Sequence, residues 1–128
     1  SPRVGEAAYR EALNFYHLCT RLSPQDETRF LSARTTIARF LRNHPASPFA
    51  PEGRKLLKAV ETRLAQLAFQ QAHFYDRQMH PPRPDAAQVA YRDFVRRYPD
   101  AERVADARAR MAELEPITGT APHENNPP

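Results

Sequence analysis

A short phrase in this chain returns once, with the same spacing of residues before it. Residues 40–45 read Phe-Leu-Arg-Asn-His-Pro and residues 94–99 read Phe-Val-Arg-Arg-Tyr-Pro, which places Pro45 and Pro99 54 positions apart. The apolar positions before each proline also correspond at this offset: Ala33, Ile37 and Phe40 with Ala87, Tyr91 and Phe94. Apolar residues three and four apart predict an amphipathic helix, and proline ends it. Chance similarity between two amphipathic helices is the alternative.

The order of residue sizes in this pattern has a packing explanation. A small residue lets two helices of a pair approach, large apolar residues fill the seam to the next pair, and proline lets the chain turn. This is the pattern of the second helix of a tetratricopeptide repeat. We therefore predict an all-α fold, a tetratricopeptide-type stack of helical hairpins (an α-solenoid) with about five helices and one long central helix. The predicted helices cover residues 5–20, 24–42, 48–78, 85–98 and 101–115.

Capping residues predict where three of these helices begin. Ser23 is expected to cap the second helix, with Pro24 in its first position, and Ser47 the third. Asp85 is expected to cap the fourth helix, with Gln88 completing a capping box.

Two helices have distinctive apolar faces. The first is apolar on two sides because Phe15, Leu18 and Leu22 lie opposite its main face, so we expect neighbours on both sides. The third, roughly 45 Å long at 1.5 Å per residue, is long enough to pack on two successive helices. Its predicted inner face is Leu57, Val60, Leu64, Leu67, Ala68, Gln71, Phe74 and Tyr75.

Length and composition set the domain organisation. A chain of 128 residues is about one domain. We predict a helical repeat domain over residues 1–115 and, because residues 116–128 have no apolar periodicity, a disordered C-terminal tail. No apolar run comes near the roughly 20 residues that a membrane-spanning helix needs, and any targeting segment is expected upstream of Ser1.

The residues that could carry chemistry are few. Glycine-rich phosphate loops, paired carboxylates on an apolar face and a nucleophile with an evident base are not found, so we predict no enzyme activity and no cofactor. His73, Asp76 and His80 do not make a closed ligand set, so no metal site is predicted. We expect Cys19 to be a buried structural thiol. The net charge of +4 comes from arginines spread along the chain, which argues against a nucleic-acid partner.

Two sets of surface residues are candidates for binding a protein partner, as helical repeats bind through extended surfaces. A polar row on the third helix comprises Gln66, Gln70, His73 and Arg77. A basic edge on the fourth helix comprises Arg92, Arg96 and Arg97, which would suit an acidic partner. Solvated helix faces are the alternative for both. The aromatic side chains between them are expected in the core: Phe74, Tyr75, Tyr91, Phe94 and Tyr98.

Five segments together resemble a known family: residues 40–45, 47–52, 63–65, 72–77 and 94–100. Their order is similar to that in the BamD family, tetratricopeptide lipoproteins of the outer-membrane β-barrel assembly machinery. The resemblance covers about residues 12–115 and corresponds to the middle and C-terminal repeats. It departs at His44, where the family usually has tyrosine, and at residues 79–84, where the turn is longer.

The resemblance implies a non-catalytic scaffold on the periplasmic side of the outer membrane. Its implied partners are the periplasmic repeats of the central barrel-assembly protein and outer-membrane protein substrates. The implied membrane attachment is a lipid anchor that is absent from this chain. The alternatives are a tetratricopeptide adaptor of another cell-envelope complex and a nucleic-acid-binding protein.

Overall fold

The computed structural model is nearly all helical. It describes the backbone of residues 2–118 and the side chains of residues 5–118. The five α-helices are α1 (Pro2–Leu22), α2 (Glu27–Asn43), α3 (Ala50–His73), α4 (Pro84–Arg97) and α5 (Val104–Thr118). A π-helical turn, Phe74–Gln78, continues α3 without a break, so the central helix has 29 residues. Residues 2–118 contain no β-strand. The predicted all-α fold with five helices and a long central helix is confirmed.

The chain divides into two compact units, and the division falls inside α3. Unit 1 is Ser1–Leu64 and unit 2 is Ala65–Pro128. Unit 1 therefore contains α1, α2 and the first part of α3, whereas unit 2 contains the rest of α3, the π-helical turn, α4 and α5. The boundary lies within the repeat domain that the sequence predicts for residues 1–115.

The core of unit 1 contains the three apolar residues of α2 that belong to the repeated pattern, Ala33, Ile37 and Phe40. Tyr9 stacks on Phe49 with ring centroids 5.3 Å apart. Gly53 lets α3 approach α2 closely, because a Cβ atom at this position would lie 2.7 Å from Cε2 of Phe40. The buried apolar side chains of unit 1 are Ala12, Cys19, Phe30, Ala33, Ile37, Phe40, Ala50, Leu56, Val60 and Leu64.

The core of unit 2 is built around Phe69 of α3. Its ring meets Tyr91 and Phe94 of α4 edge-on, with centroids 5.8 and 5.4 Å away, in the geometry that aromatic pairs prefer. The guanidinium carbon of Arg103 lies 4.3 Å from the centroid of the same ring. The buried residues of this cluster are Ala65, Ala68, Phe69, Ala72, Ala87, Tyr91, Phe94, Val104, Ala107 and Leu114.

The offset of 54 residues is also present in the backbone hydrogen bonds. His44 N–H donates to the Phe40 carbonyl and Tyr98 N–H to the Phe94 carbonyl, both at 2.9 Å. The equivalence continues through the turn into the next helix. In the turn, Ser47 N–H donates to the His44 carbonyl as Ala101 N–H does to that of Tyr98. At the start of the next helix, Ala50 N–H donates to the Ser47 carbonyl as Val104 N–H does to that of Ala101. The last pair is Gly53 N–H to the Phe49 carbonyl and Ala107 N–H to the Arg103 carbonyl. Each bond in one set therefore has its counterpart in the other at the same offset.

Helix starts differ from those that the capping residues predict. Asp26 caps α2 in place of Ser23, since its side chain accepts a hydrogen bond from the N–H of Arg29 at 3.2 Å. Helix α4 begins at Pro84, with Arg83 before it, so Asp85 lies in the first turn and is not the cap. Proline fits the first helical position because that position needs no N–H. Helix α4 therefore begins at Pro84, one residue before the predicted start at residue 85. The predicted capping box with Gln88 is therefore wrong. Helix α3 starts at Ala50 rather than residue 48, although Oγ of Ser47 accepts from Phe49 N–H at 3.1 Å.

The structure also corrects the inner faces that the sequence predicts for α3 and α1. On α3, Gln71 is exposed and Phe74 is 46% exposed, while Phe69, Ala72 and Asp76 are buried. On α1, Leu18 and Leu22 are exposed, so these two residues of the predicted second apolar side are not packed against a neighbour.

At the C-terminal end, α5 continues to Thr118, three residues past the predicted end, with Pro116 inside its last turn. The remaining part of the predicted tail, residues 119–128, lies outside the described residues. Within residues 2–118, none of the helices has the length and apolar character needed to cross a bilayer.

Candidate functional site

A buried carboxylate in unit 2 binds side chains from two other helices. Asp76 lies in the π-helical turn and is 6% exposed. Arg110 of α5 binds it in bidentate fashion, with Nε and Nη2 each 2.9 Å from a different carboxylate oxygen. The Tyr91 hydroxyl of α4 donates to Oδ2 at 2.8 Å. This Asp76 network therefore ties together the three helical segments of unit 2.

The hydrogen bonds decide the protonation state of Asp76. Burial by itself would raise the pKa of this carboxyl group, because a low-dielectric environment disfavours the charge. The hydrogen bonds from Arg110 and Tyr91, with the positive charge of Arg110, outweigh burial and hold the pKa of Asp76 below its ordinary value. Burial and the hydrogen bond to Asp76 raise the pKa of Tyr91. Asp76 is thus a carboxylate and Tyr91 a neutral donor near neutral pH.

The lowered pKa of Asp76 predicts a stability that depends on acidity. A carboxyl group whose pKa is lower in the folded state stabilises that state above its ordinary pKa of 3.8, and this contribution is lost as pH falls through the folded-state value. We expect the free energy of unfolding to fall more steeply below about pH 4 in the native protein than in Asp76→Asn. Urea unfolding of both proteins across this range measures the difference, and equal slopes would contradict the prediction.

The predicted polar row lies on the same helix as the network. Gln66 and Gln70 are exposed on α3, and His73 is half-buried, with its ring stacked on Phe69 at 6.4 Å between centroids. Arg77 is exposed, but it lies in the π-helical turn. A π-helical turn takes more residues than an α-helical one, so Arg77 leaves the direction that the α-helical spacing assigned to it.

The predicted basic edge on α4 is exposed but has nearby partners. Arg92, Arg96 and Arg97 all lie on the surface. Nη2 of Arg96 is 2.6 Å from the Asp93 carboxylate. Arg97 donates to the Tyr98 hydroxyl at 3.2 Å, with its guanidinium carbon 5.3 Å from the centroid of that ring. The edge therefore carries less uncompensated positive charge than its three arginines suggest.

The remaining candidates have structural surroundings. Cys19 is buried, and burial raises the pKa of its thiol, which keeps it protonated and unreactive near neutral pH. His80 is exposed in the turn before α4. Within the described part of the chain, no three histidine, cysteine or acidic side chains are grouped so that they could hold a metal ion.

The Asp76 network is the feature that the sequence interpretation missed, although its signal was present. Asp76 lies four residues after Ala72 and seven after Phe69, on the buried side of the helix. Arg110 lies three residues after Ala107 and four before Leu114, on the buried stripe of α5. An acidic residue and an arginine, each on an apolar stripe, indicate a buried pair because an unpaired charge there would be costly.

Five α-helices with buried apolar faces, and two helix ends whose hydrogen bonds correspond at an offset of 54 residues, define an all-α protein. Comparison with family models matches residues 1–114 to YfiO, an outer membrane lipoprotein family, and the chain belongs to this family. Comparisons with curated proteins and with solved structures gave no match. The family match supports the resemblance to the BamD family and indicates a location in the cell envelope.

Proposed function

We propose that this protein is a non-catalytic scaffold of the machinery that assembles β-barrel proteins in the outer membrane. The observation that carries the proposal is the match to an outer membrane lipoprotein family over residues 1–114 of the 128-residue chain. The repeated helix pairs support it, because stacked helices offer long, rigid faces that bind other proteins without a pocket.

The proposed partners are the periplasmic repeats of the central barrel-assembly protein and segments of outer-membrane protein substrates. The proposed place of action is the periplasmic side of the outer membrane, with attachment through a lipid anchor. The proposed contact residues are the two candidate sets, and their exposure or partial exposure is compatible with that role: Gln66, Gln70, His73 and Arg77, and Arg92, Arg96 and Arg97.

A second candidate is an adaptor of another cell-envelope complex with the same fold. The observation that favours it is the turn at residues 79–84, which departs from the pattern of the BamD family and whose His80, Pro81 and Pro82 are exposed. The two candidates differ in partner, so identification of the bound protein distinguishes them.

Affinity capture from an envelope extract tests the proposed function. We expect the unaltered protein to retain the central barrel-assembly protein, and the double variant Gln70→Glu with Arg77→Glu to retain at least about tenfold less, since it reverses the charge of the polar row. A matched control, Lys55→Glu with Lys58→Glu, changes two exposed residues on the first part of α3. Capture of a different envelope complex would favour the adaptor, and equal capture by all three proteins would show that the polar row is a solvated face.

A further inference from the structure

Helix α1 carries an apolar stripe of three residues, Phe15, Leu18 and Leu22, which we call the α1 stripe. The three residues are three and four positions apart on a regular α-helix, so they share one face of it. Leu18 is 44% exposed, Leu22 is 72% exposed and Phe15 is half-buried. Among the large apolar side chains that are exposed within residues 5–118, these two leucines are the pair that lies on a single helix. A contiguous exposed apolar surface of this kind marks an interaction site.

A different side of α1 packs in the core of unit 1. Ala12 and Cys19 are buried there, and the Tyr16 ring meets that of Phe30 edge-on, with the centroids 6.4 Å apart. The α1 stripe is therefore not needed for the packing of α1 on α2. Covering its two leucines would remove apolar surface from water, which is favourable.

Two charged residues frame the α1 stripe. Glu11 lies one turn before Phe15, and Arg21 directly precedes Leu22. Both are exposed, and neither takes part in an ion pair within the part of the chain that the structure describes. The stripe thus has an unpaired negative charge at its beginning and an unpaired positive charge at its end.

This order of charges makes the α1 stripe complementary to itself. In a two-fold symmetric pair each contact occurs twice, with the roles of the two copies exchanged. A two-fold axis between residues 16 and 17 places two copies of α1 antiparallel, with Phe15 of one opposite Leu18 of the other. The same axis brings Glu11 to the end of the stripe where the second copy carries Arg21. A parallel arrangement would bring like charges together, which costs free energy.

We propose that the α1 stripe binds a second copy of this chain, with the two α1 helices antiparallel and the apolar side chains between them. At each end the Glu11 carboxylate meets the Arg21 guanidinium of the second copy. Apolar residues that alternate at three and four positions are those through which helices pack side by side. The ion pairs, which are open to solvent, set the direction of pairing more than its strength. The proposal does not depend on the proposed function, because none of the candidate contact residues lies on α1.

Analytical ultracentrifugation of the full chain tests whether the dimer forms. We expect a dimer whose fraction rises with protein concentration. Leu18→Glu with Leu22→Glu should raise its dissociation constant at least about tenfold. The matched control, Val89→Glu with Ile117→Glu, changes two exposed apolar residues of α4 and α5 and should leave the dissociation constant unchanged. Circular dichroism checks that both variants are folded.

A charge exchange tests the antiparallel pairing with surface substitutions alone. Glu11→Arg and Arg21→Glu each place like charges together at both ends of the dimer, so each should raise the dissociation constant at least about threefold. The double variant, Glu11→Arg with Arg21→Glu, restores opposite charges and should return the constant to within about twofold of the native value. Failure of the double variant to recover the dimer would overturn the proposal.

Photo-crosslinking in cells identifies what covers the α1 stripe. Benzoylphenylalanine at position 22 is expected to attach to a second copy of the chain within about one helical turn of Glu11, since the antiparallel order places the two positions opposite each other. The mass of the product distinguishes a second copy from the same chain. The proposal is overturned if the protein is a monomer at every concentration, or if the probe attaches to the same chain, to a different protein, to lipid or to position 22 of the second copy.

Discussion

Replacing Asp76 by alanine is expected to lower the free energy of unfolding of unit 2 by about 3 kcal/mol, because it breaks a buried ion pair. The substitution removes the buried, bidentate carboxylate of Arg110, whose side chain is 26% exposed and keeps only the contact with Glu113 at 3.3 Å. It also leaves the Tyr91 hydroxyl without the acceptor that Asp76 provides. Urea unfolding followed by circular dichroism measures the loss, and hydrogen exchange of α4 and α5 assigns it to unit 2.

Two matched variants show whether the cost comes from breaking the buried ion pair. Asp106→Ala removes an exposed ion pair with Arg103 in the same unit and is expected to cost less than about 1 kcal/mol. The triple variant Asp76→Leu, Tyr91→Phe and Arg110→Leu removes the buried carboxylate and its two hydrogen-bond donors. It should recover much of the lost stability, because a buried ion pair replaced by apolar side chains is often neutral. If Asp76→Ala costs no more than Asp106→Ala, the Asp76 network does not stabilise the unit.

Phe94→Ala is expected to cost about 3–5 kcal/mol, because it opens a cavity in the core of unit 2. Phe94 is 1% exposed, and its ring packs edge-on against Phe69. The same measurement, urea unfolding with hydrogen exchange, applies to this variant.

Phe74→Ala provides the control of equal size, since it removes the same atoms from a site that is 46% exposed. We expect a loss of less than about 1 kcal/mol at that position. Similar losses for the two phenylalanines would contradict the burial that separates them.

The repeated segments were the most predictable part of the fold. Ala33, Ile37, Ala87 and Phe94 are all at most 1% exposed, as the 54-residue offset and the helical spacing indicated. Such positions are predictable because side chains three and four apart share one face of a helix wherever that helix packs. The helix ends at His44 and Tyr98 were predictable as well, since proline follows each of them.

The end of α3 was less predictable because its face is set by tertiary contacts. Leu67 and Ala68 are buried as expected, but the buried side then passes through Phe69, Ala72 and Asp76 instead of Gln71 and Phe74. Two apolar stripes one residue apart fit the sequence of this helix almost equally well. The π-helical turn and the bond from Arg110 select one of them, and that partner lies 34 residues away.

The contact residues proposed for the partner remain the least predictable part. Gln66, Gln70 and Arg92 are exposed. Most polar side chains are exposed in any protein, so exposure does not distinguish a binding face from a solvated one. Recognition by a rigid helical surface depends on the side chains of both proteins, and the sequence of one protein does not contain those of its partner.

Ile37 of α2 and Tyr91 of α4 occupy corresponding positions of the 54-residue offset, and the difference between them has a consequence for folding. Repeated helices of one chain can pair in the wrong combination while the protein folds. If α4 took the place of α2, the Tyr91 hydroxyl would be buried without the Asp76 carboxylate; if α2 took the place of α4, Ile37 would leave one acceptor position of that carboxylate empty. Because an unsatisfied buried polar group is costly, we expect the Asp76 network to disfavour both exchanges.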